Sequence, residues 1–176
     1  MIFKNRPLKN HMLLLFSILC FYGTAHSQWT QTNGPYGGYV RCFAVSGTNL
    51  FAGTDGGGVF LSTNSGVSWT AVNTGLTGTT VTSFAVSGTN LFAGTWDGGV
   101  FLSTNNGTRW TAVNTGLPTN TNVNSLAVSG TNLFAGTNGG GVFLSTNSGA
   151  SWTAVNTGLT NTLVQSLAVS GTNLFA

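Results

Sequence analysis

The chain has 176 residues, of which only 4% are charged, and its formal net charge of +3 arises near its start. Three of the five positive residues lie before residue 10. After residue 27 the charged residues are Arg41, Asp55, Asp97 and Arg109, whose charges cancel. Affinity for nucleic acids depends on Lys and Arg patches that release counterions from phosphates. The composition therefore argues against a nucleic-acid partner.

Residues 1–27 have the features of a secretory signal peptide. Positive residues precede the apolar run 12–22, and small residues, Ala25 and Ser27, occupy the two positions that a signal peptidase reads. The run is shorter than the roughly 20 apolar residues that a transmembrane helix needs. We therefore expect cleavage after Ser27, no transmembrane anchor, and a secreted or cell-surface protein.

The remainder of the chain, 28–176, is built from repeats. The segment AVSGTNLFA occurs four times, and successive copies start 41, 42 and 41 residues apart. A period of about 40–45 residues is typical of one four-stranded blade of a β-propeller. The repeat units predicted from this period lie near 40–80, 81–122, 123–163 and, incomplete, 164–176.

Each unit has the pattern of four short strands. In the second unit β-branched and aromatic runs occupy 81–87, 91–95, 99–104 and 109–114, and Gly, Asn or Asp lies in every gap. The runs LFA and VFL are apolar throughout, which is typical of strands covered on both faces by neighbouring blades. The sequence predicts an all-β, partial β-propeller of antiparallel blades with about 3.5 blades present. A linear β-solenoid is the main alternative.

The two ends of the chain bear on how a ring would close. The segment QWTQTNG, which starts at Gln28, matches the fourth strand of a unit, and the chain stops at Ala176 inside the second strand of its fourth unit. A closed ring needs at least four blades. We therefore expect a fragment of a longer propeller, or a truncated reading frame without an independent role. An open blade edge would favour self-association.

The third turn of each complete unit carries one motif: STNSGVSW, STNNGTRW and STNSGASW. Its Asn suits a tight turn that the side-chain oxygen caps, its Gly suits a positive φ, and its Trp is expected to be buried in the blade. The motif residues are Ser62, Asn64, Gly66, Trp69, Ser103, Asn105, Gly107, Trp110, Ser145, Asn147, Gly149 and Trp152.

This motif resembles the Asp-box, or BNR repeat, whose pattern is SxDxGxxW. The family includes sialidases, the sortilin ectodomain, photosystem II assembly factors and secreted bacterial propellers. Here Asn stands in all three copies where the family prefers Asp. The resemblance implies a propeller fold in which the box is a folding device, and it is compatible with a non-catalytic secreted member.

Variation among the repeats points to candidate binding residues. Consecutive hairpin turns alternate between the two ends of a blade, so the second turns and the links between blades share one rim of the ring. The repeats differ mainly on that rim, and variable loops on a constant scaffold are where binding specificity can arise. The same variation would also result from drift in unselected turns. The candidate ligand-binding residues are Tyr36, Arg41, Asp55, Trp96 and Asp97.

Enzymatic activity is not expected. The sialidase resemblance would imply three arginines, a Tyr activated by Glu and an Asp acid, yet after residue 27 the chain has two Arg and no Glu. Glycoside hydrolysis by a carboxylate pair needs two positioned acids, and Asp55 and Asp97 belong to different units. No His remains for a metal or a catalytic triad. We expect no cofactor, and calcium at Asp55 or Asp97 is only a weak alternative.

Two functions from different classes fit these features. The first is a structural or protein-interaction scaffold, and the alternative is a carbohydrate-binding or adhesion module in which Trp96 stacks on a sugar beside Asp97. A sialidase-like glycosidase is a remote third hypothesis. The partner is accordingly an unidentified protein or glycan. Cys42, the single cysteine after residue 27, is expected to be a buried apolar residue, or alternatively a thiol that pairs between molecules.

Overall fold

The computed structural model describes residues 31–176, so the expected signal peptide at 1–27 lies outside the described residues, as does Trp29. Across residues 31–176 the chain forms fourteen strands and no helix. The strands are β1 (Val40–Ser46), β2 (Asn49–Thr54), β3 (Gly58–Ser62), β4 (Thr70–Ala71), β5 (Val81–Ser87), β6 (Asn90–Thr95), β7 (Val100–Ser103), β8 (Thr111–Ala112), β9 (Val123–Ser129), β10 (Asn132–Thr137), β11 (Gly141–Ser145), β12 (Thr153–Ala154), β13 (Ala168–Ser170) and β14 (Asn173–Phe175).

The strands form separate antiparallel sheets, one for each repeat. Blade 1 has the order β1-β2-β3-β4, blade 2 is β5-β6-β7-β8, blade 3 is β9-β10-β11-β12, and β13-β14 form a hairpin. Each sheet is a meander in which sequence neighbours pair. A solenoid would instead share its sheets among successive repeats. The predicted all-β, partial propeller is confirmed.

A glycine turn closes the first hairpin of every blade. In blade 1 Ser46 pairs with Asn49, and Gly47 between them has a φ of 60°. A positive φ at this position suits the two-residue turns whose twist matches that of the flanking strands. The same register recurs at Ser87 and Asn90. The repeated letters VSGTN therefore form the innermost turn of each blade.

Apolar side chains from adjacent blades form the core. One cluster joins blades 1 and 2 and includes Phe51, Val59, Leu91, Phe101 and Trp110. The equivalent cluster joins blades 2 and 3. Blade 2 thus has one face covered by blade 1 and the other covered by blade 3, as the fully apolar strand runs predict.

An asparagine clamp holds the start of the third strand. The side-chain oxygen of Asn73 accepts a hydrogen bond from Val59 N–H at 2.7 Å, and its amide donates to the Gly57 carbonyl at 2.9 Å. Asn114 and Asn156 make the same pairs of bonds in blades 2 and 3. The two-residue fourth strands are therefore followed by a side-chain connection that extends the sheet.

The third turn forms a hydrogen-bonded loop around its Ser and Asn. In blade 1 Ser62 Oγ donates to Asn64 Oδ1 at 2.9 Å and accepts from Gly66 N–H at 2.8 Å. Asn64 Oδ1 also accepts from Ser68 N–H at 2.9 Å. A carboxylate oxygen could accept the same bonds, so Asn replaces Asp here without losing an acceptor.

The conformations of this turn recur in all three blades. Gly66, Gly107 and Gly149 have φ values of 85°, 78° and 83°. The preceding residue in each copy, which is Ser65, Asn106 or Ser148, also has a positive φ. The sequence did not predict this second left-handed position, because Ser seldom adopts it.

The tryptophans of the motif differ in burial. Trp110 and Trp152 are 2% and 4% exposed, and their indole N–H groups donate to the carbonyls of Val72 and Val113 in the preceding blade. Trp69 is only partly buried and packs against Phe43, with 6.2 Å between ring centroids. Tryptophan burial therefore depends on a neighbouring blade.

Within residues 31–176, no helix has the length and apolar character needed to cross a membrane. The same residues contain no cluster of three or more His, Cys, Asp or Glu side chains that would suit a metal ion.

Candidate binding surface on the variable rim

The second turns and the interblade links lie together on one rim, as the alternation of hairpin turns predicts. Backbone hydrogen bonds join each second turn to the following link: Gly58 N–H donates to Thr79 O at 2.8 Å, and Gly99 N–H donates to Thr121 O at 3.1 Å. Blade 3 repeats this contact at Gly141. We call this end of the blades the variable rim, formed by 33–39, 55–57, 77–80, 96–98, 118–122, 138–140 and 160–163.

Arg41 and Asp55 form an ion pair on this rim. The Arg41 guanidinium lies 2.5 Å from Asp55 Oδ2, and both side chains are about two-fifths exposed. The Thr80 hydroxyl donates a second hydrogen bond to Asp55, at 3.1 Å. The bond from Arg41, and then that from Thr80, lowers the pKa of the Asp55 carboxyl below its usual value. Asp55 is therefore held as a carboxylate.

A strand irregularity places Arg41 in this position. The pairing of the first two strands shifts register between Val40 and Cys42, which leaves Arg41 outside the ladder. Such a bulge redirects a side chain. The second blade has the same shift around Thr82.

Residues equivalent to Arg41 have a different role in the other blades. The Thr82 hydroxyl donates to the Val123 carbonyl, and the Asn124 amide donates to the Val164 carbonyl at 2.9 Å, so both connect their blade to the next. In blade 1 the Cys42 thiol instead faces the Val81 carbonyl, at 3.7 Å. Arg41 is thus released from the interblade contact that its equivalents make.

The link before β1 packs closely on the second turn of blade 1. A Cβ added to Gly38 would lie 2.1 Å from the Asp55 carbonyl oxygen, and one added to Gly57 would lie 2.1 Å from the Gly37 carbonyl oxygen. Only glycines permit this backbone approach. The same link presents Tyr36 to solvent at 78% exposure.

Trp96 is connected to the ion pair through Thr80. Its backbone N–H donates to the Thr80 carbonyl at 3.0 Å, while the Thr80 hydroxyl donates to Asp55. The Trp96 side chain is 46% exposed. We call the surface formed by Tyr36, Tyr39, Arg41, Asp55, Thr80 and Trp96 the aromatic patch.

Asp97 belongs to a different part of the rim. It lines a groove of about 430 Å³ together with Thr77, Asn114 and the link 118–121. A second groove of about 350 Å³ lies on the other side of that link, against the turn 138–140. The predicted site is therefore divided: the structure brings Arg41 and Asp55 together, connects Trp96 to them, and separates Asp97 into a polar groove.

Sequence reasoning missed Tyr39 and Thr80. Tyr39 is 86% exposed, and its carbonyl accepts a hydrogen bond from Asp55 N–H at 2.9 Å. Both residues stand in links that differ between repeats, which is the signal that could have identified them. Their contacts with Asp55 depend on the packing of a link against a turn, which the spacing of residues does not encode.

The aromatic patch has the chemistry of a binding surface. Exposed aromatic rings offer stacking faces and a large contact area at a small cost in side-chain entropy. Arg41 offers N–H donors and Asp55 offers acceptors, while their opposite charges cancel. Such a surface suits a neutral partner with hydroxyl, amide or apolar groups.

Comparison with known proteins shows the fold. No family model matches the chain, and no curated protein matches it. Among solved structures, an ancestral GH74 enzyme is 27% identical with a TM-score of 0.59, and the match covers 72% of this chain and 19% of that chain. The chain thus spans about a fifth of that enzyme's length.

Two further structures have lower identity. The computationally designed Ika4 protein is 14% identical with a TM-score of 0.64, and the match covers 82% of this chain and 87% of that chain. YCF48 from Cyanidioschyzon merolae is 19% identical with a TM-score of 0.57, covering 72% of this chain and 39% of that chain. Together with the separate four-stranded blades, these likenesses show that residues 31–176 form part of a β-propeller.

Proposed function

We propose that this chain is a secreted, non-catalytic propeller scaffold that binds a partner protein through the aromatic patch. The observation that carries the proposal is the departure of blade 1 from its own repeat. Arg41 occupies a position where Thr82 and Asn124 connect one blade to the next, yet it pairs with Asp55 on the rim. A residue released from the scaffold, on a rim that also carries exposed aromatic side chains, is suited to recognition.

The electrostatics of the rim support a non-catalytic role. A glycosidase of the two-carboxylate type needs one acid with a raised pKa. The pKa of Asp55 is instead lowered, because Arg41 and Thr80 donate hydrogen bonds to its carboxylate. The ancestral GH74 neighbour is an enzyme by name, but the match covers only 19% of its chain. The likeness of fold therefore does not transfer that activity.

A glycan is the second candidate partner, and the exposure of Tyr36 and Trp96 favours it. Aromatic faces stack on the C–H faces of sugar rings, and Arg41 and Asp55 offer donors and acceptors for the hydroxyl groups. The Asp97 groove adds polar backbone and side-chain groups on the same rim. A protein and a glycan would use the same residues, so experiment has to distinguish them.

The test compares Trp96→Ala and Arg41→Ala with Arg109→Ala, a matched control that removes the other arginine of residues 31–176 from an exposed position on the opposite rim. Each immobilised variant is incubated with the secreted proteins of the source organism, and each is also applied to a glycan array. Proteins retained by wild type and Arg109→Ala but lost by the two patch variants would support the scaffold proposal. The same pattern on the array, without protein capture, would establish the glycan alternative. Equal binding by all variants would refute a role for the aromatic patch.

A further inference from the structure

The groove that contains Asp97 lies between two segments of the variable rim that both depart from the repeat. One wall is the second turn of blade 2, 96–98, the other is the link 118–121, and the groove has a volume of about 430 Å³. Every residue that lines it falls between Thr77 and Thr121. The groove is thus built from the middle of the described residues and does not depend on either of their ends.

The turn departs from the repeat in both sequence and backbone. Asp97 stands where blades 1 and 3 have Gly56 and Gly139, whose φ values are 85° and 91°, whereas Asp97 has no positive φ. The ladder between the second and third strands of blade 2 ends at the pair Gly94–Val100, one pair short of the ladders in blades 1 and 3. This different backbone accommodates a charged side chain at a position where the other turns need glycine.

The link departs from the repeat in length. It has five residues, 118–122, whereas the links that follow blades 1 and 3 have four. Asn120 is left-handed, with a φ of 56°, and the Thr121 hydroxyl donates a hydrogen bond to the Pro118 carbonyl. Thr121 is only 8% exposed, and its carbonyl accepts a hydrogen bond from Gly99 N–H. The longer link is therefore held as a fixed wall of the groove.

The rest of the lining is fixed as well, and part of it is apolar. The asparagine clamp of blade 2 is complete here, because the Asn114 amide donates to the Gly98 carbonyl at 2.8 Å. Leu117 and Pro118 provide apolar lining, and Leu117 also packs against the core between blades 2 and 3. A ligand would therefore meet a prepared surface that needs little ordering on binding.

Asp97 carries the only charge in the lining of this groove. Its side chain is exposed. Among residues 31–176 the one ion pair is Arg41–Asp55, and the remaining cation, Arg109, lies on the opposite rim. A single carboxylate among neutral groups favours a ligand with one positive charge.

We propose that this groove receives one lysine or arginine side chain of the partner protein. Its ammonium or guanidinium group pairs with the Asp97 carboxylate, and its alkyl stem packs on Leu117 and Pro118. The neighbouring groove of about 350 Å³, on the other side of the link, has no charged residue in its lining. The cation is therefore directed to one side of the link, which fixes the orientation of the partner on the rim. Because it names the chemistry of the partner, this site rests on the proposed function.

NMR titration of the isotopically labelled full chain tests the site with three small probes. N-acetyl-lysine methylamide and N-acetyl-arginine methylamide carry the positive charge, and N-acetyl-norleucine methylamide supplies the alkyl stem of lysine without it. The amide signals of 97–99 and 119–121 report binding. The variants are Asp97→Asn, which removes the charge at constant shape, and Asp97→Asn combined with Asn161→Asp, which restores the net charge at an exposed position in another link. The dispersion of the amide signals establishes that each variant is folded.

For wild type, saturable shifts confined to these two segments are expected with the lysine or the arginine probe, with a dissociation constant of about 1–10 mM. Both variants should bind about fivefold more weakly, which is the upper end of what an exposed ion pair supplies. No shift in wild type would overturn the proposal. Equal shifts with the norleucine probe would overturn it too, and so would binding by the double variant as tight as that of wild type, because net charge alone would then explain the attraction.

The two proposals for the rim can fail independently. The probes bind or fail to bind without the partner protein, so their result does not depend on the aromatic patch. Capture of a partner that is lost in Arg41→Ala, together with no probe binding at Asp97, would remove only the basic side chain from the proposal. Probe binding together with unchanged capture by Arg41→Ala and Trp96→Ala would instead keep the groove and remove the aromatic patch.

Discussion

The front face of a blade is the side that packs against the preceding blade. The front faces of blade 1 and blade 2 carry the same five residue types but lie in different surroundings. Phe43 is 59% exposed while its equivalent Phe84 is partly covered by blade 1. Trp69 is partly exposed and lacks an acceptor among residues 31–176, while Trp110 is buried and donates to Val72. Burial in this repeat protein is therefore a property of the interface between neighbouring blades and is not set by the repeat itself.

This difference separates two kinds of stabilising contact. The asparagine clamp and the third turn are completed inside a single blade, and all three blades contain them. The indole hydrogen bond and the packing of the front face need a preceding blade. Substitutions at equivalent positions should therefore have equal effects for the first kind and unequal effects for the second.

The largest inequality is expected at the tryptophans. Trp110→Ala should lower the free energy of unfolding by about 3–5 kcal/mol, because it leaves a cavity between blades 1 and 2. Trp69→Ala should cost roughly 1–2 kcal/mol, since less apolar area is lost from a partly exposed site. Urea unfolding monitored by circular dichroism measures both. Equal losses would show that the front face of blade 1 is covered in solution.

The stability of the contact between blades 1 and 2 should depend on pH, because Cys42 packs against the core that these blades share. The contact between blades 2 and 3 has Ser83 at the equivalent position. Burial raises the pKa of the Cys42 thiol from 9.0 to about 12, against the smaller lowering by the Gly53 backbone. The folded thiol keeps its proton while the unfolded thiol loses it, so stability should fall as pH rises from about 9 towards 12. By pH 10, one unit above the ordinary value, the loss should be about 1.4 kcal/mol.

Cys42→Ser is the matched variant for this experiment, because Ser83 and Ser125 occupy the equivalent positions in blades 2 and 3. The variant should remove this part of the alkaline loss while leaving the fold intact. Urea unfolding between pH 8 and pH 10 measures the difference. An identical alkaline loss in the variant would contradict assignment of the effect to Cys42.

Equivalent substitutions in the third turn should cost the same stability in every blade, because the hydrogen bonds of this turn lie inside one blade. Asn105→Ala removes the acceptor for Ser103 Oγ and Arg109 N–H, and should cost about 1–2 kcal/mol. Asn64→Ala should cost about the same despite its uncovered blade. Asn105→Asp keeps both acceptor bonds and should be nearly neutral. Melting temperatures measure all three, and a large loss in the Asp variant would show that the amide itself is required.

The period of the repeat was enough to predict the blades, because a 41-residue unit with glycine turns has room for four short strands and no helix. The alternation of turns likewise predicted that the second turns and the links share a rim. The exposure of Phe43 was not predictable, since its sequence context is nearly that of the covered Phe84. Residue identity alone does not reveal whether a neighbouring blade is present.

The binding surface was predictable only in part. Repeat differences identified Arg41, Asp55 and Trp96, but they also identified Asp97, which lies in a separate groove. The pairing of Arg41 with Asp55 depends on a strand bulge, and bulges leave no fixed signature in these repeats. The sequence differences between repeats therefore identified the variable rim correctly, but they did not show which residues of the rim contact each other.

The smallest effects on stability are expected at the bulge position, which is Arg41 in blade 1 and Thr82 in blade 2. Substitutions there should also distinguish a residue that stabilises the scaffold from one that belongs to the binding surface. Thr82→Ala should cost about 1 kcal/mol, because it removes the hydrogen bond from the Thr82 hydroxyl to the Val123 carbonyl between blades 2 and 3. Arg41→Ala should leave the melting temperature at neutral pH unchanged within error, since an exposed ion pair contributes little. A destabilisation by Arg41→Ala as large as that by Thr82→Ala would place Arg41 in the scaffold, and the aromatic patch would then lose the observation on which its assignment depends.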